Sequence, residues 1–64
     1  MIGIEARELK LGDVILGGVG TVVRLPSKPD EWGEITAVVK EDDGQRFLIK
    51  LDEQAWIRIE REEN

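Results

Sequence analysis

Cysteine and histidine are both absent from this chain. Without cysteine there are no disulfides and no thiolate zinc sites, and without histidine the commonest metal ligand and the usual proton shuttle are missing as well. A secreted domain of 64 residues would ordinarily rely on such staples, so their absence points to a soluble protein of the cytoplasm. Long apolar runs are lacking too. No segment approaches the length that spans a bilayer, and Met1-Ile2-Gly3-Ile4-Glu5 has neither the basic nor the apolar region of a signal peptide. Nor is there an excess of positive charge: nine basic against fourteen acidic residues leave a formal net charge of −5. That balance opposes generic attraction to phosphate backbones, which is mostly cation-driven counterion release.

What is present is the vocabulary of a small β protein. With 41% hydrophobic and 36% charged residues the composition is globular rather than disordered. A chain of this length forms one domain and buries only about 60% of the surface its unfolded form exposes, so its core is small. Ile2 and Ile4 alternate with Gly3 and Glu5 as a short strand would, and Ala6 to Leu9 suits a single helical turn before the Gly12-Asp13 corner. Val14-Ile15-Leu16 leads into Gly17-Gly18, a hairpin signal expected to make a tight two-residue turn.

From Val19 to Leu25 the alternation predicts Val19, Thr21, Val23 and Leu25 on the inner face, with Gly20, Val22 and Arg24 outside. Pro26 to Gly33 forms the longest loop, since two prolines cannot join a ladder. Period two resumes at Glu34 to Glu41, turns at Asp42-Asp43-Gly44 and returns over Gln45 to Leu51 with Phe47, Ile49 and Leu51 inward. Asp52-Glu53-Gln54 is expected as a tight helical turn before the last strand, Ala55 to Ile59. The domain is therefore placed at residues 1–59, with 60–64 as a frayed acidic tail.

Five to six short strands with glycine-rich turns predict an all-β, antiparallel barrel, whose closure would remove unpaired edges. Three segments resemble an SH3-like barrel: Leu11-Gly12-Asp13-Val14-Ile15, Gly18-Val19-Gly20-Thr21-Val22-Val23 and the link Asp52-Glu53-Gln54. The Gly12-Asp13 pair and Gly20-Thr21-Val22 resemble the KOW and Tudor-like branches, where a Gly-Asp pair opens a strand and a Gly-x-Val segment follows a hairpin. The KOW resemblance implies nucleic-acid binding, but KOW segments carry basic residues near the hairpin and Gly17-Gly18 has none. The Tudor resemblance implies an aromatic cage for methylated side chains, for which only Trp32, Phe47 and Trp56 are present. In style the chain is also similar to small proteins of bacterial and phage genomes.

Catalysis is not expected. The only adjacent nucleophile and amine are Ser27 and Lys28, neighbours in a proline-flanked loop where side chains seldom converge. Asp30-Glu31, Glu41-Asp42-Asp43 and Asp52-Glu53 sit at turns, where acidic side chains bond to local backbone, and none has the ligand spacing of an EF-hand. The glycines near residue 17 lack the helix and the Lys-Ser or Lys-Thr pair of a P-loop. No cofactor or metal is implied.

Strand parity is the informative feature. If Val23, Val39, Ile49 and Ile57 point inward, then Arg24, Lys40, Arg46, Lys50 and Arg58 point outward, together with Val22, Val38, Leu48 and Trp56. Such a face is either ordinary, its cations covering apolar sheet and pairing with loop carboxylates, or a contact surface. The contact reading makes the chain a non-enzymatic module that binds a protein partner or itself through Trp56, Arg58, Arg46, Leu48 and Val38, with Trp32 nearby. The alternative is nucleic acid, its backbone tracked by the same cations and a base stacked on Trp56. Trp32 is expected to cap the barrel mouth or to project toward a ligand.

Overall fold

The computed structural model describes residues 1–61. Its strands are β1 (Ile2–Glu5), β2 (Val14–Ile15), β3 (Gly20–Arg24), β4 (Glu34–Lys40), β5 (Arg46–Asp52) and β6 (Trp56–Glu60), with one 3₁₀ turn at Ala6–Glu8. The fold is all-β, and the strands form one antiparallel sheet in the order β1-β6-β2-β3-β4-β5. The sheet curls around its core without closing, so β1 and β5 remain as edges. Backbone bonds from Ala6 N–H to Ala55 O (2.8 Å) and Arg7 N–H to Glu53 O (3.0 Å) join the edges' neighbouring turns at one corner.

The core follows from alternation on the strands with two neighbours. Ile35, Ala37 and Val39 of β4 point inward and are each 1% exposed, and Val39 packs in one cluster with Ile4, Leu9, Ile15, Val22 and Ile59 around the inside of the curl. Removing an isoleucine side chain of this kind from water stabilises the fold by about 1.5–3 kcal/mol. The inner residues of edge strand β5 are covered less completely, although Ile49 and Leu51 still pack against the core. Ile49 and Leu51 are half-buried, and Phe47, expected in the core, is 43% exposed at the end of the β4–β5 hairpin.

The inner and outer faces of β3 are the reverse of the expectation over its first half. Ile15, which is buried, pairs with Gly20, so Gly20 and Val22 share the inner face, and Val22 opposes Val39. A bulge between Val22 and Arg24 then shifts the register, leaving Val23 half-buried and Arg24 opposite Val38 on the outside. Leu25 lies beyond the strand, exposed. Gly20 is required here. Its φ is +131°, and a Cβ would stand 2.6 Å from Lys40 O.

Two turns also differ in detail. The β2–β3 loop spans the four residues between Ile15 and Gly20, with Gly17 and Gly18 both at positive φ, rather than two. Asp52 belongs to β5, and the link to β6 is a hydrogen-bonded turn, Ala55 N–H to Asp52 O at 3.0 Å, with Gln54 N–H bound to Asp52 Oδ1 at 2.8 Å. No helix forms there.

At the other end, Glu60 completes β6 and Arg61 is anchored. Asp13, 1% exposed, accepts from Arg61 Nε at Oδ1 (2.8 Å), from Arg61 Nη2 at Oδ2 (2.7 Å) and from Lys10 N–H at Oδ2 (2.8 Å). The Gly12-Asp13 corner is thereby tied to the end of the last strand. The expected tail thus does not begin at residue 60, and its remainder, 62–64, lies outside the described residues.

Candidate functional site

The outward side of β3, β4 and β5 is built by register. Arg24 opposes Val38 and Val38 opposes Leu48, giving one cross-strand row, while Thr21, Lys40 and Arg46 form the next and Thr36 pairs with Lys50. Leu48 is 69% exposed and Val38 half-buried. The result is a strip of apolar surface flanked by cations. Among the described residues the ion pairs are Met1 N-terminus with Glu60, Arg7 with Glu5 and Arg61 with Asp13. Arg24, Lys40, Arg46, Lys50 and Arg58 take part in none of them, so the carboxylate pairing that would make this face ordinary is not formed there.

Trp56 and Arg58 do not extend that strip. They lie on β6, which sits between β1 and β2 and is separated from β5 by three strands along the sheet. Trp56 opposes Glu5 and reaches diagonally across β1, where its indole covers Gly3 so closely that a Cβ on Gly3 would stand 2.6 Å from Cζ2. An aromatic ring laid over a strand glycine shields backbone that has no side chain of its own. The indole nevertheless remains 70% exposed. The six predicted contact residues thus fall into separate places: Val38, Leu48 and Arg46 together, Trp56 and Arg58 together, and Trp32 alone.

Trp32 does not cap the core. It is 75% exposed on a turn organised by Asp30, whose Oδ1 accepts from the N–H groups of Trp32 and Glu34, both at 2.9 Å. Nearby, Ser27 Oγ accepts from Thr36 N–H at 3.0 Å, which gives that hydroxyl a structural duty in docking the loop on β4.

The feature that strand patterns did not reveal is a cleft on the open side of the curl. Ile15, Leu16 and Val19 from β2 and its turn, Ile49 and Leu51 from β5, and Ile57 from β6 surround a volume of about 610 Å³, with Lys50 and Arg58 at its rim. Among the described residues no carboxylate lines it. A smaller depression of about 440 Å³ lies between the two hairpin turns and includes Gly17, Gly18, Glu41, Asp42 and Asp43. Among the described residues no group of three or more acidic side chains is placed to hold a metal ion, and no helix is long and apolar enough to cross a membrane.

Among the described residues, Asp13 is the acid whose titration is shifted. Hydrogen bonding from the Arg61 guanidinium holds its carboxyl below the usual Asp range; burial opposes this, and the Lys10 N–H reinforces it. The same bond raises Arg61. A buried carboxylate held by three donors at the base of a turn has a structural role. The sequence signal for it was the Gly-Asp corner, but its partner lies 48 residues away. The chain matches no known protein-family model, no curated protein and no solved structure.

Proposed function

We propose that this chain is a non-enzymatic interaction module of the cytoplasm that binds a protein partner through the outer face of β3, β4 and β5. One observation carries the reading: Arg24, Lys40, Arg46 and Lys50 surround Leu48 and Val38 and form no ion pair among the described residues. Exposed leucine supplies apolar area, and the arginines offer directional hydrogen bonds to a partner's carboxylates. Binding should therefore require both. In capture from the native cells, Leu48→Ser and Arg46→Glu each lose the partner held by the wild-type chain, while circular dichroism shows both variants folded. Undiminished capture by both variants would refute the proposed face.

A second reading, nucleic-acid binding, draws on the same cations and on the exposed indole of Trp56, whose outer ring face is open for stacking. It predicts binding to single-stranded probes that weakens steeply as salt rises. Absence of binding at low salt removes it.

A further inference from the structure

Strand β5 is an edge whose backbone is half used. Glu41 N–H donates to Gln45 O and Glu53 N–H to Gly33 O at the two ends of its register with β4. The alternation of an antiparallel ladder then turns the backbone groups of Phe47, Ile49 and Leu51 toward β4, and those of Arg46, Leu48 and Lys50 away from it. The outward groups face the open side of the sheet. Beyond them, β2 pairs with β6 only at Ile59 and Glu60, with Leu16 N–H reaching Arg58 O, so the first half of β6 has no strand neighbour on its β2 side. Between lies the apolar cleft lined by Ile49, Leu51, Ile57 and Val19.

We infer that β5 accepts an added strand from a partner protein, an extended segment in which apolar and acidic residues alternate. Main-chain bonds to Arg46, Leu48 and Lys50 would supply the pairing, and the alternation follows from the pleat. Side chains of the added strand that lie beside Ile49 and Leu51 enter the cleft and must be apolar. Those beside Arg46 and Lys50 lie on the outer face, where opposite charges across strands are favourable and like charges are not. The same cations discourage a second copy in the register centred on Leu48, which sets Arg46 against Lys50. The inference rests on the protein-binding reading above and adds the backbone and the cleft to it.

The test uses a fluorescein-labelled peptide of alternating valine and glutamate, about eight residues long to match β5, and its valine–lysine counterpart. The glutamate peptide is expected to bind saturably, roughly tenfold or more tighter than the lysine peptide. In hydrogen exchange it should slow the Arg46, Leu48 and Lys50 amides roughly tenfold or more. Leu48→Pro removes an edge donor that β4 does not use and should abolish that binding. Should that variant unfold, Arg46→Glu with Lys50→Glu reverses the preference toward the lysine peptide. Equal binding of both peptides, or unslowed edge amides at saturation, overturns the inference. So does slowing that grows with protein concentration without peptide, which assigns the edge to a second copy. Slowed amides alongside capture insensitive to Leu48→Ser and Arg46→Glu would sink the outer-face reading alone; unslowed amides alongside sensitive capture would sink strand addition alone.

Discussion

Replacing Asp13 by asparagine changes one charge and almost no volume, and it should be among the most damaging conservative substitutions in the chain. Asparagine can keep its oxygen either where Oδ1 accepts from Arg61 Nε or where Oδ2 accepts from Arg61 Nη2 and Lys10 N–H, and in each case its amide hydrogens face the donors left at the other position. Breaking a fully buried pair costs about 3–5 kcal/mol. Arg61 keeps 29% of its side chain exposed and regains some solvation, so a loss of about 2–3 kcal/mol is expected, in line with hydrogen bonds to charged groups. Domains of this size are stable by only about 3–10 kcal/mol, and each kcal/mol lowers the melting temperature by about 4–8 °C. The midpoint should therefore fall by about 8–24 °C.

The dependence on pH identifies the cause. The folded carboxyl of Asp13 titrates below its ordinary value, which is about 3.9 in an unfolded chain. Its contribution is fully present above that value and is lost as pH falls through the lower, folded one. Urea unfolding of wild type and Asp13→Asn at neutral pH should differ by the full amount, and the gap should narrow steadily below about pH 4. Other carboxylates titrate in the same range but are common to both proteins and cancel in the comparison. A gap under about 0.5 kcal/mol at neutral pH, or one that persists unchanged in acid, would refute the assignment.

Two substitutions test the backbone. Gly20→Ala forces a positive φ on alanine and a contact with Lys40 O, and should cost about 2–4 kcal/mol in urea unfolding; a loss within experimental scatter would contradict the close approach. Gly3→Ala should push the Trp56 indole off β1, destabilising by about 1 kcal/mol in the wild type and much less in a Trp56→Ala background. Additive effects of those two changes would mean that the ring does not rest on Gly3.

Much of the secondary structure was legible along the chain because period two and glycine punctuation are local. Ile35, Ala37 and Val39 alternate cleanly and form the most deeply buried stretch, and the outward positions of Lys40, Arg46 and Leu48 follow from the same parity. Parity failed in β3 because two candidate faces, Val19-Thr21-Val23 and Gly20-Val22, are both β-compatible, and the choice was made by pairing with Ile15 and by the bulge. Phe47 was misplaced for a different reason. It has the inward parity, but parity does not say whether anything covers a strand.

By itself the sequence determined an all-β domain, the neighbourhoods of its turns though not their lengths, and the gathering of cations on the outer side of β4 and β5, since each rests on alternation or on turn chemistry within a few residues. Tertiary structure decided what depends on distant partners. It left the sheet open, so that β5 has a bare edge above an apolar cleft. It laid Trp56 on Gly3 of another strand and away from Leu48, and it brought Arg61 to Asp13 across the whole chain. Local pattern sets which way a side chain points; the order of strands sets what it meets.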